Sequence, residues 1–162
     1  EEETFDTTVD LEADAYIPET YIRNEMQNLD MYKRIASLQN EEEVSELQDE
    51  LVDRFGDVPQ SVNRLLQIAL LRAEAHEVYV TQVIWRGGSV KLTLYPKAKL
   101  IAQRIPELMK TYAGRLKFSA EGIPEFTYEP ATVRGKAGAR PDVRAVLKEI
   151  KELLVEMKKE LL

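Results

Sequence analysis

The chain has no cysteine and a single histidine among its 162 residues, and each scarcity excludes chemistry. Without cysteine there are no disulfides, thiolate zinc sites or thiol nucleophiles, a composition compatible with a reducing cytoplasm. With His76 alone, a histidine triad or general base has one candidate. That candidate falls at the predicted end of a helix, where the helix dipole favours an imidazolium and no catalytic role is needed. No apolar run approaches the roughly 18 residues of a membrane span. The acidic opening EEETFDTT is unlike the basic start of a secretion signal, so neither membrane insertion nor secretion is expected. Basic charge is also short. A net charge of −7 works against broad nucleic-acid binding, which depends on Lys and Arg neutralising phosphates, and suits basic protein partners better.

Phosphate and metal motifs are missing too. Gly135 and Lys136 lack the upstream glycine and the following Ser/Thr of a P-loop. No calcium-loop spacing occurs. The acidic triplets Glu1–Glu3 and Glu41–Glu43 stand at chain or helix starts, where acids cap and complement the dipole. The sequence therefore predicts no cofactor, no metal and no catalytic residue.

What is present is a patterned core. Hydrophobic residues make up 44% of the chain, enough for one domain or two small subdomains meeting near His76. Val9, Leu11, Ala13, Ala15 and Ile17 alternate with polar residues and predict a strand over Val9–Ile17, ended by Pro18. Ile22, Met26, Leu29, Tyr32, Ile35 and Leu38 recur at helical spacing and predict an amphipathic helix from Glu19 to about Leu38. Asn40 with Glu43 forms a capping box, so a second helix runs from Glu41 to about Phe55, with Gly56 as its left-handed stop. Asp57 and Pro59 start a third, more buried helix to about His76.

The period then changes. Val78–Tyr95 reads as a β-hairpin about Gly87 and Gly88. Lys97–Gly114 reads as helical, with Pro106 either kinking it or starting a second short helix. RLKFSA and EFTYEP read as short strands, TVRGKAGARP as a loop, and Asp142–Leu162 as a terminal amphipathic helix. The fold class is α+β: a helical block, then a small α/β block with a hairpin and a long C-terminal helix.

Two polar features carry candidate sites. The loop with Arg134, Lys136, Arg140 and Arg144 offers positive charge that a phosphate backbone could use, or is a solvated loop before a helix. In the second helix, Val44, Leu47, Leu51 and Phe55 cluster, while Glu43, Glu46, Glu50 and Asp53 form a stripe displaced by roughly 125°, bordered by Arg54. Spacing alone leaves open whether that stripe is a solvated face or a docking face.

DAYIPETYI (Asp14–Ile22), YKRIAS (Tyr32–Ser37), ELVDRFGDVP (Glu50–Pro59) and LLQIALLR (Leu65–Arg72) resemble the C-terminal domain of the bacterial transcription-repair coupling factor (Mfd) family. The half after His76 is similar in pattern more than in motif. The resemblance implies one domain, residues 1–162, of a longer ATP-dependent DNA translocase whose motor lies elsewhere: 1–18 a linker and first strand, 19–76 helical, 77–162 α/β. It implies a bacterial cytoplasmic parent that displaces stalled RNA polymerase on DNA and recruits the excision-repair protein UvrA. The domain's implied role is autoinhibition without chemistry of its own. It would dock on a UvrB-like N-terminal module of the same protein and mask that module's UvrA-binding surface. On this resemblance together with the acidic stripe, Glu50 and Asp53, flanked by Glu46 and Arg54, are the expected partner-contacting residues. The alternative is an accessory nucleic-acid contact through loop 134–144. The isolated chain is expected to be a folded monomer.

Overall fold

A computed structural model describes residues 4–132 and 142–162. In chain order the elements are β1 (Thr8–Asp10), α1 (Glu25–Ala36), α2 (Glu41–Phe55), α3 (Gln60–Glu77), β2 (Val80–Arg86) and β3 (Ser89–Leu94), followed by a 3₁₀ turn (Ala102–Arg104). After the turn come α4 (Ile105–Thr111), β4 (Leu116–Ser119), β5 (Glu125–Tyr128) and α5 (Val143–Leu161). Five α-helices and one five-stranded mixed sheet among the described residues make the fold α+β. The chain divides into two compact units, one formed by residues 13–73 and the other by 1–12 with 74–162.

The first unit is helical. α1, α2 and the greater part of α3 enclose Ile17, Ile22, Met31, Ile35, Val44, Leu47, Leu51, Val62 and Leu66, all buried. Burial of this kind contributes roughly 1.5–3 kcal/mol per large side chain. Asn40 caps α2 by accepting from the Glu43 N–H at 2.9 Å, and the Glu43 carboxylate accepts in return from the Gln39 N–H at 2.8 Å. The capping box is thus real, with its return arm one residue upstream of the cap. At the other end Gly56 takes φ +89° and ψ −166°, a region open essentially to glycine, and its N–H donates to Val52 O at 3.0 Å. The Tyr21 hydroxyl closes the same helix end from outside, reaching Gly56 O at 2.9 Å and Leu51 O at 3.2 Å.

Two expectations for this unit are corrected. α1 begins at Glu25, not Glu19, because Pro18 opens a turn in which the Tyr21 and Ile22 N–H groups donate to Pro18 O, and Asn24 is the cap, accepting from the Gln27 N–H at 3.0 Å. That cap fixes the register so that Met31 and Ile35 face inward while Met26 and Leu29 are 69% and 57% exposed. The strand expected over Val9–Ile17 is a ladder only at Thr8–Asp10. Exposure still alternates as far as Ile17, but beyond Asp10 the backbone bonds leave the sheet: Tyr16 N–H goes to Ser61 O and Ile17 N–H to the Tyr32 hydroxyl.

The second unit holds the sheet, in spatial order β1-β2-β3-β5-β4. β1 pairs parallel with β2, and every other pair is antiparallel. The β2–β3 hairpin turns at Gly87 and Gly88, of which Gly87 alone takes a positive φ, +59°. One sheet face is apolar and buried, carrying Val83, Trp85, Val90, Leu92, Phe126 and Tyr128, while Gln82, Lys91 and Lys117 on the other are exposed. α5 buries Val146, Ile150, Leu153, Leu154 and Met157, and is capped by Asp142. The helix expected over Lys97–Gly114 is cut down to the 3₁₀ turn and α4. Pro106 sits in the first turn of α4, where its missing N–H costs nothing, and Ala113 (φ +47°) and Gly114 (φ +86°) end it. Among the described residues no helix is long and apolar enough to cross a membrane.

Candidate functional site: the acidic face of the second helix

α2 presents three kinds of position. Val44, Leu47 and Leu51 point into the core. Glu43 and Glu50 are half-buried and occupied: Glu43 closes the capping box, and Glu50 is held between two arginines. Arg34 of α1 meets Glu50 with both guanidinium arms, the longer contact being 2.9 Å, and Arg54, one turn along α2, donates to the same carboxylate at 2.9 Å. The hydrogen bonds from Arg34 and then Arg54 draw the Glu50 carboxyl down from its ordinary 4.5 to about 2. The Arg54 guanidinium lies 4.8 Å from the centre of the Phe55 ring, so its direction is set on two sides.

The third kind is the outermost line. Glu42, Glu46, Asp49 and Asp53 are all exposed and recur at spacings of four, three and four, which at about 100° per residue keeps them within roughly 60° of one another. They lie opposite the buried Val44–Leu47–Leu51 stripe. Among the described residues, Glu46 and Asp53 make no side-chain hydrogen bond or ion pair. The four residues singled out from the sequence therefore separate. Glu46 and Asp53 lie on the open acidic line, while Glu50 and Arg54 form a pair at its flank that ties α2 to α1. Glu42 and Asp49 belong to the line and were passed over because the stripe was drawn through the acids nearer the core. Arg34 was missed as well. Its partner is sixteen residues away, on another helix.

Of the basic loop, Arg134, Lys136 and Arg140 lie outside the described residues, and Arg144 is an exposed residue in the first turn of α5.

Comparison with known proteins bears on the helical unit and the sheet alike. A family model described as the TRCF domain matches residues 11–105. A transcription-repair-coupling factor of Bacillus subtilis is 39% identical over 122 residues, covering 74% of this chain and 10% of that protein. One from Staphylococcus epidermidis is 38% identical over 93 residues, 57% of this chain and 8% of that protein. The chain thus spans about a tenth of the length of these relatives. A crystal structure of the C-terminal domain of transcription-repair coupling factor superposes with a TM-score of 0.76 at 25% identity, over 96% of this chain and 95% of that one. With the model match over residues 11–105 and the B. subtilis relative at 39% identity, the chain belongs to the TRCF domain family of transcription-repair coupling factors.

Proposed function

We propose that this chain is a non-catalytic regulatory domain that docks, through the acidic face of α2, on a basic surface of the UvrB-like N-terminal module of its own parent protein. Docked there, it masks the surface that receives UvrA until the motor engages stalled RNA polymerase on DNA. The observation that carries this reading is the outermost line of α2, where Glu46 and Asp53 stand exposed and unpaired beside an arginine, Arg54, already fixed in direction by Glu50 and Phe55. Opposite charges of this kind set register and raise encounter rates more than they add affinity. Arg54, its direction already set by Glu50 and Phe55, loses little freedom when it borders such an interface.

A contact of modest strength suits a device that must open. Tethering within one chain supplies an effective concentration of up to about millimolar, so a weak interface stays mostly closed in the parent and opens when the motor rearranges. Untethered, the domain binds poorly and remains a monomer in the bacterial cytoplasm. The test is to mix the chain with the UvrB-like N-terminal module and follow amide exchange on both. Slowed exchange along the 42–54 segment of α2 supports the reading, and saturating module with no slowing there overturns it.

A further inference from the structure

Arg54 borders the acidic line of α2 with its side chain 39% exposed, yet contacts from several residues of the helical unit fix its direction. On one side Glu50 accepts from its Nη1 at 2.9 Å. On the other, its guanidinium lies 4.8 Å from the centre of the Phe55 ring, and that ring is tilted by 56° against Tyr21, with centroids 5.8 Å apart. Tyr21 is itself held, through its hydroxyl bonds to Gly56 O and Leu51 O. Complementing the negative end of the helix dipole calls for a charge in the last turn but not for a fixed direction.

Arg34 decides how much of Glu50 is left for Arg54. Both arms of its guanidinium meet the carboxylate, Nη1 on Oε2 and Nη2 on Oε1, whereas Arg54 shares Oε2 through Nη1 alone. Among the described residues Arg54 makes no other side-chain hydrogen bond, so its Nε and Nη2 donors are open. Two guanidinium groups on one carboxylate leave an excess of positive charge, and the two-armed pair is the stronger of the two contacts. The excess therefore falls on Arg54.

We infer that, given docking through the acidic face as proposed above, Arg34 is a positioning residue of that face: it occupies Glu50 so that Arg54, aimed but uncompensated, meets a carboxylate on the otherwise basic surface of the N-terminal module. This contact selects the register. Glu42 and Glu46 recur seven residues on as Asp49 and Asp53, so the acidic line alone fits a row of basic groups in two positions, two helical turns apart. Arg54 breaks the tie, because the residue seven places before it is the buried Leu47. In the shifted position Arg54 loses its carboxylate and faces like charge, the kind of contact by which interfaces reject wrong pairings.

The test is a mutant cycle in the full-length parent protein, read as UvrA binding without stalled polymerase, since the apparent UvrA affinity of a mostly closed clamp rises by the factor by which docking weakens. Arg54→Ala should raise it. Arg34→Gln should raise it about three- to tenfold, the freezing of one rotamer-rich side chain converted to affinity, and should add nothing further in the Arg54→Ala background. A merely structural Arg34 would act with or without Arg54. Should Arg34→Gln lower the helical circular dichroism of the isolated chain, Arg34→Lys, which keeps the charge and loses the fork, takes its place in the cycle. Three results each overturn the inference: no change in UvrA binding on replacing Arg34, an Arg34 effect that persists in Arg54→Ala, or an Arg54→Ala change that lowers UvrA affinity, as relief of a like-charge contact would. Glu46→Arg with Asp53→Arg, run alongside, separates the two failures. If it raises UvrA binding while the arginine variants do not, the positioning role of Arg34 falls and the acidic face stands, whereas no response from any of them removes the docking itself.

Discussion

Arg34 and Glu50 form a two-armed ion pair that joins α1 to α2 across sixteen residues of chain, and it is this contact, completed by Arg54, that takes Glu50 out of the open acidic line. Its carboxyl is held at about 2 against an ordinary 4.5. A lowered folded value means that the pair's contribution is present above about pH 4.5 and is lost as pH falls through 4.5 towards 2. The carboxylate is 35% exposed and its arginine partners are more so, which keeps that contribution under about 1 kcal/mol. Following the Glu50 side-chain carboxyl by NMR should give a midpoint near 2, and Arg34→Gln should move it back up. A midpoint at the ordinary value in the unaltered chain would show that the pair does not persist in solution.

Gly56 is the second point of leverage. Its φ of +89° with ψ of −166° suits glycine, yet an added Cβ would meet nothing within 4 Å. The cost of Gly56→Ala is therefore backbone strain without a clash, about 1 kcal/mol or more. Gly88, whose φ is not positive and whose Cβ direction is equally open, should accept alanine within about 0.5 kcal/mol. Urea unfolding followed by circular dichroism separates the two, and equal tolerance at both glycines would contradict the conformation of the α2 stop.

In the sheet unit, Glu149 anchors the end of β5 to α5. It accepts from the Tyr128 hydroxyl at 2.8 Å, from the Ala131 N–H at 2.7 Å and from Thr132 through its N–H at 3.0 Å and its hydroxyl. Burial raises this carboxyl, but the hydrogen bonds from Thr132, Tyr128 and Ala131 outweigh it and hold it below its usual range. Glu149→Gln leaves some of those donors without a partner and should cost about 1–3 kcal/mol. A change under about 0.5 kcal/mol would mean that water replaces the carboxylate without penalty.

The same network shifts the phenols. Burial first, and then the bond to Glu149, push Tyr128 up to about 12, and burial with Glu156 and Glu152 does the same for Tyr112, which meets Tyr128 edge-on at 5.5 Å. Raised folded values mean stability that is complete below about pH 10 and lost as pH rises through 10 towards 12. Tyrosinate absorbance of the native chain minus that of Tyr128→Phe isolates the Tyr128 titration, which should be centred near 12. A midpoint at 10 would contradict the burial of that hydroxyl.

How far the sequence could be read depended on how local the determining chemistry was. α2 was legible residue for residue because Asn40, Glu43 and Gly56 carry its boundaries within a few positions of the bonds they make. The inward face of α1 was not. Pro18 and Asn24 both offer a start, and only the turn closed on Pro18 O shows that the second one wins, which turns Met26 and Leu29 outward. β1 pairs with a strand more than seventy residues away, so alternation alone could not show that its ladder ends at Asp10. The candidate site divides in the same way: the Glu50–Arg54 pair follows from i,i+4 spacing, whereas Arg34 reaches Glu50 only through tertiary packing.

The proposed docking rests on Glu46 and Asp53, and reversing both charges in the full-length parent protein tests it most directly. As exposed positions with no internal partner, Glu46→Arg with Asp53→Arg should leave the domain folded, each change shifting stability by no more than about 0.5 kcal/mol. Docking should weaken by about 2–5 kcal/mol for each acid that meets a desolvated arginine and by under about 1 kcal/mol for one at the rim. Roughly 5.5 kcal/mol suffices to carry a clamp from 99:1 closed to 99:1 open. The measurement is UvrA binding by the double variant in the absence of stalled polymerase. The account predicts that binding rises well above that of the unaltered protein. A folded double variant that still hides its UvrA surface would show that the acidic line of α2 is only a solvated face.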